Sequence, residues 1–153
     1  MEYPIKVILL GPLFTQAERI WNRLLKEALE KASEGKLSVV LPQQEAEQFI
    51  IGDEINLDAI ADSCLANAVT RDLAIAILDG SDADSGTCIE VGYRKGINRN
   101  LPVIGVRTDF RSSGEEKGLN AMLRICDEIV YFPSFNEAVS ELAKTIIKVI
   151  KRL

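Results

Sequence analysis

The stretch from Asp72 to Gly96, DLAIAILDGSDADSGTCIEVGYRKG, carries most of the information about the fold. It opens with the apolar run Leu73 to Leu78, which shows no alternation of polar and apolar residues. Continuous hydrophobicity is typical of a strand buried on both faces, as in a parallel sheet covered by helices. A loop rich in Gly and Asp follows, and Thr87 to Ile97 is then an amphipathic stretch of helix length. This order of strand, polar loop and helix indicates an α/β fold.

The same alternation continues in both directions along the chain. The other strand-length apolar runs are Ile5 to Leu10, Leu37 to Leu41, Pro102 to Val106 and Glu128 to Phe132. The other amphipathic stretches are Ala17 to Ala32, Leu57 to Val69, a short one at Asn120 to Ile125, and Asn136 to Leu153. The order βαβαβαβαβα predicts a single domain over residues 1–153, built on a doubly wound, five-stranded parallel sheet.

Composition excludes several classes of function. With a formal charge of -5 and no cluster of Lys or Arg, the surface would repel a phosphate backbone, so we expect no nucleic-acid partner. The apolar part of the N-terminal run is too short to span a bilayer and lacks the marks of a signal peptide, so we expect no membrane association. The three cysteines form no CxxC pair, which argues against a disulfide framework or a zinc site and favours the cytoplasm.

The chain contains no histidine at all. This excludes Ser-His-Asp and Cys-His catalysis, HExxH zinc sites and any imidazole general base. Proton transfer or nucleophilic attack must therefore come from carboxylates, Lys, Tyr or Cys. The turn after the first predicted strand has one glycine where GxGxxG would be needed, and GxxxxGK[ST] is absent, so the usual NAD, FAD and ATP sites are disfavoured.

In a parallel sheet, ligands bind beyond the carboxyl ends of the strands. Three polar segments fall there, and they are Gly11 to Phe14, Asp79 to Glu90 and Arg107 to Asn120. The segment from Asp79 to Glu90 is the best candidate for a catalytic site, because it contains four Asp or Glu side chains. Thr87 and Glu90 also match a capping box, which would give these residues a structural role at the start of a helix. A structural role there is compatible with a catalytic one. A glutamate in the first helical turn would be kept ionised by free N–H groups and the helix dipole, as a nucleophile requires.

Two other features favour a structural interpretation. Thr15 and Glu18 also match a capping box, which predicts the start of the first helix. Trp21, on that helix, is expected to pack against the core rather than to provide a stacking platform.

Five segments together resemble the nucleoside 2-deoxyribosyltransferase family over nearly the whole chain. They are GPLFTQAER from Gly11, LPQQE from Leu41, the stretch from Asp72 to Gly96, PVIGVRTDFR from Pro102, and GLNAML from Gly118. The specific part is the pattern D-x-G-T-x-x-E-x-G-Y, which runs from Asp84 to Tyr93.

The resemblance implies a flavodoxin-like fold, a Rossmann-like three-layer sandwich, and base exchange on 2'-deoxynucleosides through a covalent deoxyribosyl-enzyme. It implies that Glu90 is the nucleophile and that Asp84 lies near the base. We expect Asp79, Asp82 and Glu90 to keep Asp84 protonated, so that it can protonate the departing base. Gly11, Phe14, Asp72 and Gly86 are expected to contact the substrate.

The resemblance also implies a shared site. Asn120 and Met122, with Gly118, are expected to complete the site of a neighbouring subunit, which implies a homodimer or a larger symmetric oligomer. The partners expected are a nucleoside and a free nucleobase, with no metal and no organic cofactor.

Two positions depart from the family's pattern. Ile8 and Leu9 stand where some members have a strand tyrosine, and Cys64 stands where many carry Asp or Asn. These changes leave open whether the substrate is a deoxynucleoside, a ribonucleoside or a 5'-phosphate. A nucleoside 5'-monophosphate N-glycosidase would use hydroxyls such as Thr15, Ser112 and Ser113 for the phosphate. A module that binds nucleotides without turnover is the alternative from outside the enzymes.

Overall fold

The computed structural model describes residues 4–111, 118–134 and 136–153. Its strands are β1 (Ile5–Leu10), β2 (Leu37–Val40), β3 (Ile50–Ile51), β4 (Glu54–Ile55), β5 (Leu73–Ile77), β6 (Val103–Arg107) and β7 (Glu128–Tyr131). Five of them form one sheet in the order β2-β1-β5-β6-β7, and every neighbouring pair in it is parallel. The predicted five-stranded parallel sheet is confirmed.

The helices cover both faces of this sheet. They are α1 (Gln16–Ala32), α2 (Pro42–Ala46), α3 (Leu57–Thr70), α4 (Ser85–Ile97) and α5 (Val139–Ile150). Successive residues of β1 point to opposite faces, so Val7 and Leu9 pack with α1 and α5 while Ile8 and Leu10 pack with α4. Both faces are buried, which explains why the strands are mostly apolar and do not alternate between polar and apolar residues.

The register of β1 and β5 positions the site. Leu10 pairs with Ala76, so the carboxyl ends of the two central strands meet at the same edge of the sheet. Gly11, directly after β1, therefore lies beside the loop that follows β5. A Cβ at Gly11 would lie 3.1 Å from the Ile77 side chain, which would have to shift slightly to admit it, so a glycine fits closest here.

Arg94 anchors α4, the helix that follows this loop. Its side chain is fully buried and donates hydrogen bonds to the carbonyl oxygens of Ala68 at 2.6 Å, Arg71 at 2.9 Å, Asp72 at 3.0 Å and Pro102 at 3.2 Å. One guanidinium thus joins α4 to the end of α3 and to the starts of β5 and β6. The charge is compensated by fixed carbonyl dipoles, as a buried cation requires.

The structure also contains elements that the sequence did not predict. Between Leu41 and Asn56 lie α2, a 3-10 turn at Glu47–Phe49, and the antiparallel hairpin of β3 and β4. These pieces are too short to show a hydrophobic period. The expected helix at Asn120 to Ile125 is a 3-10 turn at Ala121–Ile125, and the last helix begins at Val139 rather than at Asn136. No helix in the described ranges is long and apolar enough to cross a bilayer.

Both structural interpretations on α1 are confirmed. The Thr15 side chain accepts from the Glu18 N–H at 3.2 Å, and Glu18 accepts from the Thr15 N–H at 2.7 Å. Trp21 packs against the core between α1 and the sheet.

Candidate active site

A cavity of about 310 Å³ opens at the carboxyl edge of the sheet. It lies between the loop after β1, the start of α2, one face of α3 and the first two turns of α4. Its volume is within the usual range of small-molecule sites, roughly 300–1,000 Å³. The structure brings five predicted site residues to this cavity, and they are Gly11, Phe14, Asp84, Gly86 and Glu90.

Asp84 starts the helix that carries the site. Its Oδ2 accepts the main-chain N–H of Thr87 at 2.8 Å and the Thr87 hydroxyl at 3.0 Å, which makes Asp84 the N-cap of α4. The expected capping box between Thr87 and Glu90 is therefore wrong, because the N-cap of the helix is Asp84, three residues before Thr87. A Cβ at Gly86 would lie 3.1 Å from Asp84 Oδ2, so a glycine leaves this carboxylate room.

Glu90 is the sixth residue of α4 and lies in its second turn, not in the first as expected. The free N–H groups of the helix end do not reach it, and its pKa moves in the opposite direction from the one predicted. Burial in the cavity wall raises the pKa of Glu90 to about 7, and the negative charge of Asp84 adds to this effect. A hydrogen bond from the thiol of Cys64 opposes the rise.

The expected crowd of acids does not form. Asp79 accepts hydrogen bonds from the main-chain N–H and hydroxyl of Thr108 and, at 2.9 Å, from the N–H of Asp109. Asp82 accepts the next main-chain N–H at 3.0 Å. Both carboxylates hold loops and lie outside the cavity lining, so Glu90 is the one member of the expected group that shares the cavity with Asp84.

Asp72 is not part of the cavity. It directly precedes β5 and so lies at the amino edge of the sheet, about 16 Å along the strand from the loop that follows β5. Its carboxylate accepts the main-chain N–H of Lys6 at 2.8 Å. This position argues against the expected contact between Asp72 and the substrate, since a residue that precedes a parallel strand lies at the opposite edge from the binding edge.

Asn120 and Met122 also lie outside this chain's cavity lining. The Asn120 side chain accepts the Met122 N–H at 2.9 Å and starts the 3-10 turn. Met122 is 80% exposed. Gly118 precedes them with φ +84°, and a Cβ there would lie 2.8 Å from the guanidinium of Arg107. That the segment completes a neighbouring subunit's site stays a prediction, and Ser112 and Ser113 lie outside the described residues.

The sequence did not predict that Cys64 would face Glu90. Asn56 caps α3 by accepting the Ala59 N–H at 3.0 Å, and the phase of the helix then brings Ile60, Ala61, Cys64 and Leu65 to the cavity. Residues spaced i, i+1, i+4 and i+5 lie on one face of a helix. This spacing is the sequence signal that could have placed Cys64 on the face of α3 that lines the cavity.

The cavity combines a largely apolar wall with two carboxyl groups. Of the described residues that line it, Asp84 and Glu90 are acidic and none is Lys or Arg. Electrostatic attraction is strong in such a poorly solvated site, so a carboxylate here stabilises positive charge that develops on a bound molecule. In the described parts of the chain, no group of three or more Cys, Asp or Glu side chains is arranged to hold a metal ion.

Comparison with known structures supports the fold. A conserved protein from Enterococcus faecalis V583 is similar, with 24% identity, a TM-score of 0.73 and coverage of 97% of this chain and 98% of that chain. A 2-deoxyribosyltransferase from Bacillus psychrosaccharolyticus has 20% identity and a TM-score of 0.61, with 90% of each chain covered. A CMP N-glycosidase from Clostridium botulinum has 13% identity and a TM-score of 0.58, with 94% of this chain and 98% of that chain covered.

The family assignment comes from the sequence match. No curated protein sequence is similar enough to add to the comparison. The family model described as nucleoside 2-deoxyribosyltransferase matches residues 7–123, a range that begins in β1 and ends in the 3-10 turn after Gly118. This range contains every residue that lines the cavity, and the chain belongs to the nucleoside 2-deoxyribosyltransferase family.

Proposed function

We propose that this protein cleaves the N-glycosidic bond of 2'-deoxynucleosides and transfers the sugar to a second base, with Glu90 as the nucleophile. The observation that supports the proposal most is the placement of Glu90 and Asp84 in one largely apolar cavity at the carboxyl edge of the sheet. Family membership gives the reaction class, and the geometry of α4 supports the assignment of roles.

In the first half of the reaction, one Glu90 oxygen forms a bond to C1' while the bond from C1' to the base nitrogen breaks. The bonding electron pair leaves with the base, which takes up one proton. The sugar passes through an oxocarbenium-like state that the Glu90 carboxylate stabilises. In the second half, a nitrogen of the incoming base gives up a proton and displaces Glu90 from C1'.

Asp84 is the proposed partner of the base. Its Oδ2 is held by Thr87, so the carboxyl group has a fixed orientation beside Glu90. We propose that a proton on the Asp84 carboxyl group moves to the departing base, and that the incoming base returns one to the same group, so a single group serves both halves. When water takes the place of the second base, the same steps give hydrolysis.

We infer that the substrate is a neutral nucleoside rather than a 5'-monophosphate. Two carboxylates and no Lys or Arg line the described part of the cavity, so a phosphate dianion would be repelled. Thr15, a candidate phosphate ligand, has its hydroxyl engaged in capping α1. Arg19 lies near the rim, but it donates to the carbonyl oxygens of Leu13 at 3.0 Å and Phe14 at 2.8 Å.

We also propose a homodimer or a larger symmetric oligomer with shared sites. The face of α4 next to the cavity exposes Ile89, Tyr93 and Ile97, which are spaced four residues apart and so form one apolar stripe. Met122 is another exposed apolar side chain. Light scattering should give a dimer or larger species, and a monomer that is fully active at assay concentration would contradict the proposal. The cytoplasm remains our proposed location.

The central test is incubation of the protein with one deoxynucleoside and a different free base, followed by chromatography. We expect the exchanged nucleoside in the wild type and a loss of several orders of magnitude in Glu90→Gln. Cys88→Ala is the matched control, since Cys88 lies two residues away on α4 but does not line the cavity. After reaction with a slow 2'-fluoro analogue, mass spectrometry should find the sugar on the peptide that contains Glu90.

The same assay separates the alternatives. Free base without exchange would indicate a hydrolase, and faster release from a 5'-monophosphate than from the nucleoside would contradict a neutral substrate. Tight binding with no base release over hours would indicate a sensing module. An adduct on Cys88, or near-normal turnover in Glu90→Gln, would overturn the mechanism.

A further inference from the structure

The cavity contains a thiol that the proposed reaction does not use. Cys64 lies in the third turn of α3 and is half-buried. It lines the same cavity as Glu90. It occupies the position at which many family members have Asp or Asn. A carboxylate there would be a third negative charge beside Asp84 and Glu90, whereas a thiol is neutral.

Cys64 and Glu90 line this cavity from α3 and α4, two helices that pack against each other. The thiol is close enough to act on the Glu90 carboxyl group as a donor that lowers the carboxyl pKa. Burial, followed by the negative charge of Glu90, raises the pKa of Cys64 to about 11. The sulfur therefore keeps its proton at neutral pH and acts as a donor, not as a nucleophile.

We propose that Cys64 is a positioning residue for Glu90, whose S–H donates to the carboxylate and holds it toward the centre of the cavity. The inference rests on the proposed function, because it matters for turnover only when Glu90 attacks the sugar. Of the described groups that titrate, those that act on Glu90 are Asp84 at the start of its own helix and Cys64 on α3. Asp84 repels the ionised carboxylate, and Cys64 stabilises it.

Two substitutions separate the donor from the space that it fills. Cys64→Val keeps an apolar group of similar volume but removes the S–H, and Cys64→Ser restores a donor. Cys88→Val is the matched control, because Cys88 is also half-buried on a helix but lies outside the cavity lining. An alanine is less suitable, because water entering the space would solvate Glu90 and hide the loss of the donor.

The first measurement is direct titration of Glu90 by carbon-13 NMR of the labelled carboxyl group, assigned with Glu90→Gln. Cys64→Val should raise the Glu90 pKa by about half a unit or more, as expected for losing one weak donor to a charged acceptor. Cys64→Ser should return it to or below the wild-type value, and Cys88→Val should leave it unchanged.

The second measurement is the exchange rate. We expect kcat to fall about tenfold in Cys64→Val with KM nearly unchanged, because an interaction needed for attack is lost while binding is kept. Cys64→Ser should recover most of kcat. An unchanged Glu90 pKa in Cys64→Val, or equal losses of kcat in the Val and Ser variants, would overturn the positioning role. A pKa that moves as expected in a protein without turnover would confirm the contact and refute the proposed function instead.

Discussion

Glu90→Gln should stabilise the folded protein, and the gain should depend on pH. Burial and Asp84 raise the pKa of Glu90 to about 7 from an ordinary value of 4.5. The folded state therefore binds this proton more tightly than the unfolded chain, so the free energy of unfolding falls as the pH rises between these two values. The difference between the two pKa values lowers the free energy of unfolding of the wild type by about 3 kcal/mol at pH 8. The Glu90→Gln variant carries a neutral side chain and does not lose this stability.

Equilibrium unfolding in urea at pH 5 and pH 8, at one protein concentration, measures this effect. The variant should exceed the wild type by about 3 kcal/mol at pH 8 and by less than about 1 kcal/mol at pH 5. Glu27→Gln is the control, because Glu27 is exposed on α1 and should change stability by less than about 0.5 kcal/mol at either pH. A gain below about 1 kcal/mol at pH 8, or the same gain at both pH values, would refute the reasoning.

Other predictions follow from the same geometry. If ionised Glu90 attacks the sugar, kcat/KM should rise about tenfold per pH unit below pH 7 and level off above it, and a fall with pH would contradict the nucleophile. Asp84→Asn should keep the helix cap and the free energy of unfolding, but it should shift the rise of kcat/KM to lower pH because a negative charge beside Glu90 is removed. Asp84→Ala should give the same shift and should also lower the free energy of unfolding in urea by about 1 kcal/mol, because the cap is lost. Asp72→Asn should leave kcat and KM unchanged, and a raised KM would restore a substrate contact to Asp72.

The fold could be predicted because its signals are long and periodic. The five sheet strands are mostly apolar runs, and β1 has the predicted bounds, Ile5–Leu10. The segment from Pro42 to Ile55 could not be predicted, since α2 and its hairpin are only a few residues long. The turn between the two short strands depends on Gly52 at φ +61°, a local signal that does not reveal which strands pair.

The candidate site was predicted in part. Gly11, Phe14, Asp84, Gly86 and Glu90 lie together because they follow the ends of adjacent parallel strands. The electrostatics were wrong because they depended on where α4 begins. The sequence pattern predicts the cap at Thr87, but the structure has it at Asp84, three residues earlier.

That shift changes the chemistry of Glu90. At the helix end, N–H groups would stabilise the carboxylate equally before and during the reaction. In the second turn, facing an apolar wall and a second carboxylate, the charge is poorly stabilised in the free protein.

In the proposed reaction, a cationic sugar centre would supply the stabilisation that Glu90 lacks in the free protein, so the interaction would be strongest in the transition state. With its pKa raised to about 7, about half of the Glu90 side chains are ionised near pH 7. A nucleophile that must both attack C1' and leave it again benefits from this balance, since a carboxylate held too firmly by N–H groups would attack slowly.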